Sequence, residues 1–123
     1  IVNLHVAYLP FNRGAHPNFW AFYDGTQSGV TIHLIDEGID TGPILFQKKV
    51  KFLQEKTFSQ TYQKLFFEIE QLFIKNIQSI LDKSWVEKPQ KNFGTFHTIK
   101  DLPKDFKGWE SNIVQEIARL KNN

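Results

Sequence analysis

Between residues 58 and 82, Phe58, Tyr62, Leu65, Ile69, Leu72, Phe73, Ile77, Ile80 and Leu81 recur at three- and four-residue steps. That spacing lines one side of an α-helix, and Thr57 with Gln60 has the separation of a capping box at its start. A stripe of this length is expected to pack against a sheet. Residues 1–6 alternate loosely from a β-branched start and predict a short strand, ended by Pro10 and the turn-prone Asn12, Arg13 and Gly14. A helix is expected next, with Pro17 in its first turn, Phe19, Trp20 and Phe22 as apolar contacts, and Asp24-Gly25 at its close. Two further strands follow at 29–35 and 44–52, and Gly38, Gly42 and Pro43 bend a tight acidic loop between them. Residues 84–105 carry Pro89, Gly94 and Pro103 and read as irregular, before a last helix over 109–120. Internal repeats and low-complexity tracts are absent from the pattern.

Composition narrows the picture. The 123 residues, 41% of them hydrophobic and 15% aromatic, are enough for one compact domain and too few for two of ordinary size. No apolar run reaches the roughly 18 residues a membrane-crossing helix needs, and the first residues lack the basic-then-apolar pattern of a secretion signal. Without cysteine there is neither a disulfide framework nor a thiol nucleophile, which fits a cytoplasmic location. The net charge is +2 with basic residues scattered among acids, so no nucleic-acid partner is expected. The chain opens on Ile1 as if within a strand, and an open sheet edge there makes self-association into a homo-oligomer an expectation.

The candidate chemistry starts at Asn3 and His5. Residues two apart in a strand project to the same side, so an amide and an imidazole stand together while Leu4 points away. An amide can donate to a carbonyl oxygen, and an imidazole can move protons near neutral pH. Together they suit the oxyanion of a tetrahedral intermediate, with Asp36, Glu37 or Asp40 of the acidic loop as the carboxylate partner. On spacing alone, a hydrogen-bonded structural histidine is the commoner reading. His5, His16, His33 and Asp40 lack compact ligand spacing, so no metal site is expected.

Two stretches resolve the choice. "NLHVAYLPFNRGAHP" and, further on, "GVTIHLIDEGIDTGPIL" together resemble the formyltransferases that use 10-formyltetrahydrofolate, which act on glycinamide ribonucleotide, methionyl-tRNA and nucleotide-sugar amines. The resemblance is strong from residue 3 to residue 45 and looser through the next strand and the long helix. It implies an α/β, partial Rossmann-like fold: residues 1–83 as the C-terminal half of the catalytic domain, and 84–123 as an irregular segment and helix packed on it. The family's N-terminal half, with further strands and much of its folate pocket, precedes the first motif and is absent here.

Position by position, the resemblance makes Asn3, His5 and Asp40 the catalytic residues and the 36–42 loop, with Asp36, Glu37, Gly38 and Ile39, the wall against 10-formyltetrahydrofolate. Tyr8, Arg13 and His16 are the implied substrate contacts, and His33 is read as structural. Ala7-Tyr8-Leu9-Pro10 departs from the Ser-Leu-Leu-Pro of many relatives, and this with "RGAHPNFWAFYDGT" is nearer to the sugar-modifying branch. The implied reaction is formyl transfer to a primary amine, that of a nucleotide-linked amino sugar, with small molecules as partners and neither nucleic acid nor membrane. Hydrolysis of formyltetrahydrofolate, formylation of methionyl-tRNA and a non-catalytic folate-binding role stay open as alternatives. "GTFHTIKDLP", with His97, Lys100 and Asp101, is expected to be a solvated turn.

Overall fold

A computed structural model describes residues 1–91 and 93–122; of the segment 84–123, residues 92 and 123 therefore lie outside the described ones. Strand β1 (Val2–His5) pairs antiparallel with β3 (Gly29–Leu34), and β3 pairs antiparallel with β4 (Ile44–Lys49), giving the order β1-β3-β4. The run of β-branched and apolar residues in β3 matches its central place, where all but its last residue are buried. A two-residue strand, β2 (Arg13–Gly14), pairs in parallel with β5 (Phe96–His97).

Helix α1 (Pro17–Asp24) begins with proline at its first turn and stops at Gly25 in the left-handed region, as the residue types dictate. Helix α2 (Phe58–Lys75) carries both halves of the Thr57–Gln60 capping box. It buries Phe58, Thr61, Leu65, Glu68 and Ile69, and its Leu65 and Ile69 pack with Val30 of β3 and Val50. Asn18 joins the two helices: its Nδ2 donates to the Phe58 carbonyl, and its Oδ1 accepts from the Thr61 hydroxyl.

The single helix expected over 58–82 is broken. Asn76 sits at φ −110° and its Nδ2 donates to the Leu72 carbonyl, so a side-chain amide competes with the backbone ladder and a separate helix, α3 (Ile77–Asp82), follows. None of the α3 residues is buried, and Tyr62, Ile77 and Leu81 of the apolar stripe remain exposed. The last helix, α4 (Ile113–Lys121), starts four residues later than expected because the Asn112 side chain caps it by accepting from the Gln115 N–H. Trp109 instead packs its ring against Phe58 and Phe106. The solvated turn expected at 94–103 is also corrected at His97. Its ring stacks on Trp20 with centroids 3.6 Å apart, and its Nε2 lies 2.8 Å from Asp24 Oδ2.

A second core cluster, Phe19, Trp20, Phe58, Ile113 and Leu120, binds α1, α2 and α4. At its edge the buried carboxylate of Glu116 accepts from Arg119 Nε and Nη2 and from the Lys107 N–H. The Arg119 hydrogen bonds hold this carboxyl down at about 2 against the burial that would raise it. A carboxyl depressed on folding contributes stability that is present above its unfolded pKa and disappears as pH falls through the folded value. Glu116→Gln is therefore expected to lower unfolding free energy by about 1–2 kcal/mol at neutral pH. In urea melts the gap from wild type should narrow as pH falls from the unfolded value of 4.5 toward about 2.

Among the described residues no helix is long and apolar enough to cross a membrane.

Candidate functional site

The β1–β3 register places Asn3 opposite His33 and His5 opposite Thr31. Directly opposed residues share a side of an antiparallel pair, and so do residues two apart. Asn3, His5, Thr31 and His33 therefore form one polar patch, on the side opposite Val30, which packs against Leu65 and Ile69. The Asn3 amide stands beside the His33 ring, its Nδ2 3.5 Å from Nε2.

Asp40 arrives over the loop between β3 and β4, which is closed at its neck by the Leu34 N–H donating to the Pro43 carbonyl. A Cβ at Gly42 would fall 1.6 Å from the Leu34 carbonyl oxygen, so only glycine permits this return. Within the loop, Asp36 Oδ1 accepts from the Gly38 N–H and the Thr41 hydroxyl, and those two bonds hold the Asp36 carboxyl below its ordinary range. Asp36, Glu37, Gly38 and Ile39 lie on the exposed outside. Asp40 itself adopts φ 56° and turns inward.

Its carboxylate bridges two imidazoles. Oδ2 is 3.5 Å from His5 Nε2, Oδ1 is 3.5 Å from His33 Nε2, and Oδ2 accepts from the Gly14 N–H at 2.9 Å. Burial alone would raise Asp40, but the His33 hydrogen bond, the His5 charge and the Gly14 N–H outweigh it and lower its pKa. For His33 burial pulls down, while the hydrogen bond to Asp40 and the Leu34 carbonyl raise the pKa above the ordinary value. For His5 burial wins over the attraction of Asp40 and the pKa is lowered. At neutral pH the patch thus holds an ionised Asp40, a neutral His5 and a His33 biased toward the imidazolium.

The tautomer of His5 is fixed by its surroundings. Nε2 lies 2.9 Å from the carbonyl of Asn12, which can only accept, so Nε2 carries the proton and Nδ1 keeps its lone pair. Asn12 is itself buried and anchored, its N–H donating to Thr95 Oγ1 and its Nδ2 to Thr26 Oγ1. Thr31 holds the preceding turn, donating to the Ala7 carbonyl while its Oγ1 accepts from the Leu9 N–H.

His5 also borders a cavity of about 720 Å³ lined by His16, Asn18, Tyr62, Glu70 and Trp109 among others. His16 is held at φ 53° just ahead of α1, with its ring 5.3 Å from that of Trp109. Tyr8 and Arg13 do not line this cavity. Tyr8 packs on Gly29 with the Lys49 ammonium 5.7 Å from its ring, and the Arg13 fork is taken up by Gln90 Oε1. The structure so brings together Asn3, His5 and Asp40, adds His33, Asn12 and the Gly14 N–H to them, and sets His16 across a shared cavity.

The chain is similar to several known proteins. A family model described as "Formyl transferase" matches residues 1–77. A methionyl-tRNA formyltransferase of Thermodesulfovibrio yellowstonii is 40% identical over 105 residues, covering 85% of this chain and 33% of that protein. A dTDP-4-amino-4,6-dideoxyglucose formyltransferase of Mycobacterium bovis is 32% identical over 101 residues, covering 82% of this chain and 43% of that protein. The chain thus spans less than half the length of these curated relatives. Among solved structures, the formyltransferase PseJ from Anoxybacillus kamchatkensis, in complex with UDP-4,6-dideoxy-4-formamido-L-AltNAc and tetrahydrofolate, superposes with a TM-score of 0.88. That pair is 38% identical, with 94% of this chain and 63% of that chain covered.

Proposed function

Because this chain belongs to the formyl transferase family, we propose that the complete protein moves a formyl group from 10-formyltetrahydrofolate to the primary amine of a nucleotide-linked amino sugar. The observation that carries the reaction is the Asn3–His5–Asp40 constellation beside a cavity. The likeness to PseJ over 94% of the chain favours the sugar.

Within this reading each residue has a task set by its surroundings. The donor supplies an activated formyl carbonyl. Neutral His5, its Nε2–H held by Asn12, offers Nδ1 to take the proton of the attacking amine and return it to the departing nitrogen. The imidazolium formed in between is stabilised by Asp40, 3.5 Å from the ring. Asn3 directs its amide N–H toward the carbonyl oxygen as negative charge develops there. The exposed, internally braced backbone at residues 36–39, next to Asp40, suits a flat heterocycle that presents both donors and acceptors. His16 and the rings of Tyr62 and Trp109 suit the acceptor, whose base and sugar stack on aromatic surfaces.

Methionyl-tRNA is the second reading, favoured by the 40% identity to the Thermodesulfovibrio yellowstonii enzyme. The complete protein should be incubated with 10-formyltetrahydrofolate and, separately, UDP- and dTDP-linked amino sugars or methionyl-tRNA, with products identified by mass spectrometry. A formamido sugar is the expected product. Formyl-methionyl-tRNA without a formylated sugar overturns the acceptor, and formate released without any acceptor overturns transfer.

A further inference from the structure

Asp40 adopts a left-handed backbone conformation that a non-glycine residue holds only when its surroundings impose it. Its carboxylate is tied by the Gly14 N–H. Its backbone is tied from a different part of the chain. Gln90, half-buried in the segment after α3, donates through Nε2 to the carbonyls of both Asp40, at 2.8 Å, and Gly42, at 2.7 Å. Gln90 Oε1 in turn accepts from Arg13 Nε at 3.0 Å and Nη2 at 2.8 Å, a fork that fixes which end of the amide faces the loop. The backbone bridge between Ile44 and Lys88 carries this strap past the base of the loop.

We propose that Gln90, oriented by Arg13, is a positioning residue that holds Asp40 against His5 and His33. It lies outside the stretch matched by the family model, 50 residues beyond Asp40. The logic is that of an amide used at both ends. Arg13 can only donate, so it captures Oε1 and leaves Nε2 facing two carbonyls that can only accept. The adjoining residue, Gly14, supplies the N–H to the carboxylate. The dipeptide Arg13-Gly14 thereby governs both the backbone and the side chain of Asp40. The proposal rests on the role given to Asp40 above.

Gln90→Glu separates the strap from simple stability. A carboxylate keeps the size, gains an ion pair with Arg13 and loses the N–H donors to Asp40 and Gly42. In the complete protein this variant should melt close to wild type, yet kcat should fall about ten- to a hundredfold with KM for the amine nearly unchanged, the cost of misplacing a reacting group. Gln90→Leu should lose as much, and Arg13→Ala combined with Gln90→Leu should be no worse than either alone. A second readout needs no turnover: the His33 imidazole followed by NMR should titrate at lower pH in Gln90→Glu, because Asp40 no longer sits beside it. An unchanged His33 titration in a folded variant overturns the proposal. So does a rise in KM without that titration change, which would place Gln90 on the substrate. Should the complete protein prove not to transfer formyl groups, the titration alone decides, and the strap stands or falls apart from the reaction.

Discussion

Asp40→Asn in the complete protein is expected to lower kcat about a thousandfold while leaving KM for the amine within a fewfold. Disabling a positioned proton-transfer group costs on the order of 10²–10⁴ in rate, and Asp40 supports the one at His5 while also facing His33. The Asn side chain is nearly isosteric and keeps an oxygen for the Gly14 N–H, so the fold should survive. What goes is charge. Asp40 is among the influences that raise the pKa of both His5 and His33, and without it both should titrate at lower pH. In wild type, kcat should be level through neutral pH and fall on acidification only as His5 takes up a proton, below the ordinary histidine range because burial depresses it. In the variant that acid limb should move further down, atop the reduced plateau. His5→Ala should lose a similar amount and abolish the limb altogether. A plateau within tenfold of wild type would remove His5 from proton transfer if seen in His5→Ala, and Asp40 from supporting it if seen in Asp40→Asn.

The parts of this site that local pattern reveals are those built within a few residues. Asn3 and His5 share a side because a strand has a period of two, and Gly42 closes the loop because the backbone of Leu34 leaves no room for a Cβ. His33 is different. Within "GVTIHLI" it is one polar residue in an apolar run, and only the pairing of Asn3 with His33 across two strands moves it from structural residue to neighbour of Asp40. Gln90 gives no local sign at all, since its importance lies in contacts with Arg13 and Asp40 at separations of 77 and 50 residues. The helix break has the same origin at shorter range. The apolar period runs straight through Asn76, and what ends α2 is the hydrogen bond its amide makes to Leu72. His97 reads as loop because it stands in an irregular stretch punctuated by Gly94 and Pro103; its stacking surface, Trp20, lies on α1.

Phe19→Ala should have the opposite signature from Asp40→Asn: a large loss of stability, with turnover per folded molecule little changed at first. Phe19 is fully buried at the centre of an aromatic cluster, its ring centroid 4.9 Å from Trp20, 5.1 Å from Phe106, 5.6 Å from Phe58 and 5.7 Å from Tyr23. Removing such a ring typically costs about 3–5 kcal/mol through lost burial and the cavity left behind. Against a net stability of about 5–15 kcal/mol for a domain, that is a substantial share. The cluster joins α1, α2 and α4, whereas Asn3, His5 and His33 stand on the β1–β3 pair, backed by the separate cluster of Val30, Val50, Leu65 and Ile69. Urea melts should therefore show a lower midpoint, with kcat near wild type at temperatures where the variant is folded. On warming, kcat should fail earlier than in wild type, because α1 follows directly on Arg13-Gly14, the dipeptide that grips Asp40. A variant that melts like wild type would mean that the aromatic cluster adds little to holding α4 on α1. One that loses kcat at full occupancy of the folded state would mean that the two clusters act as one.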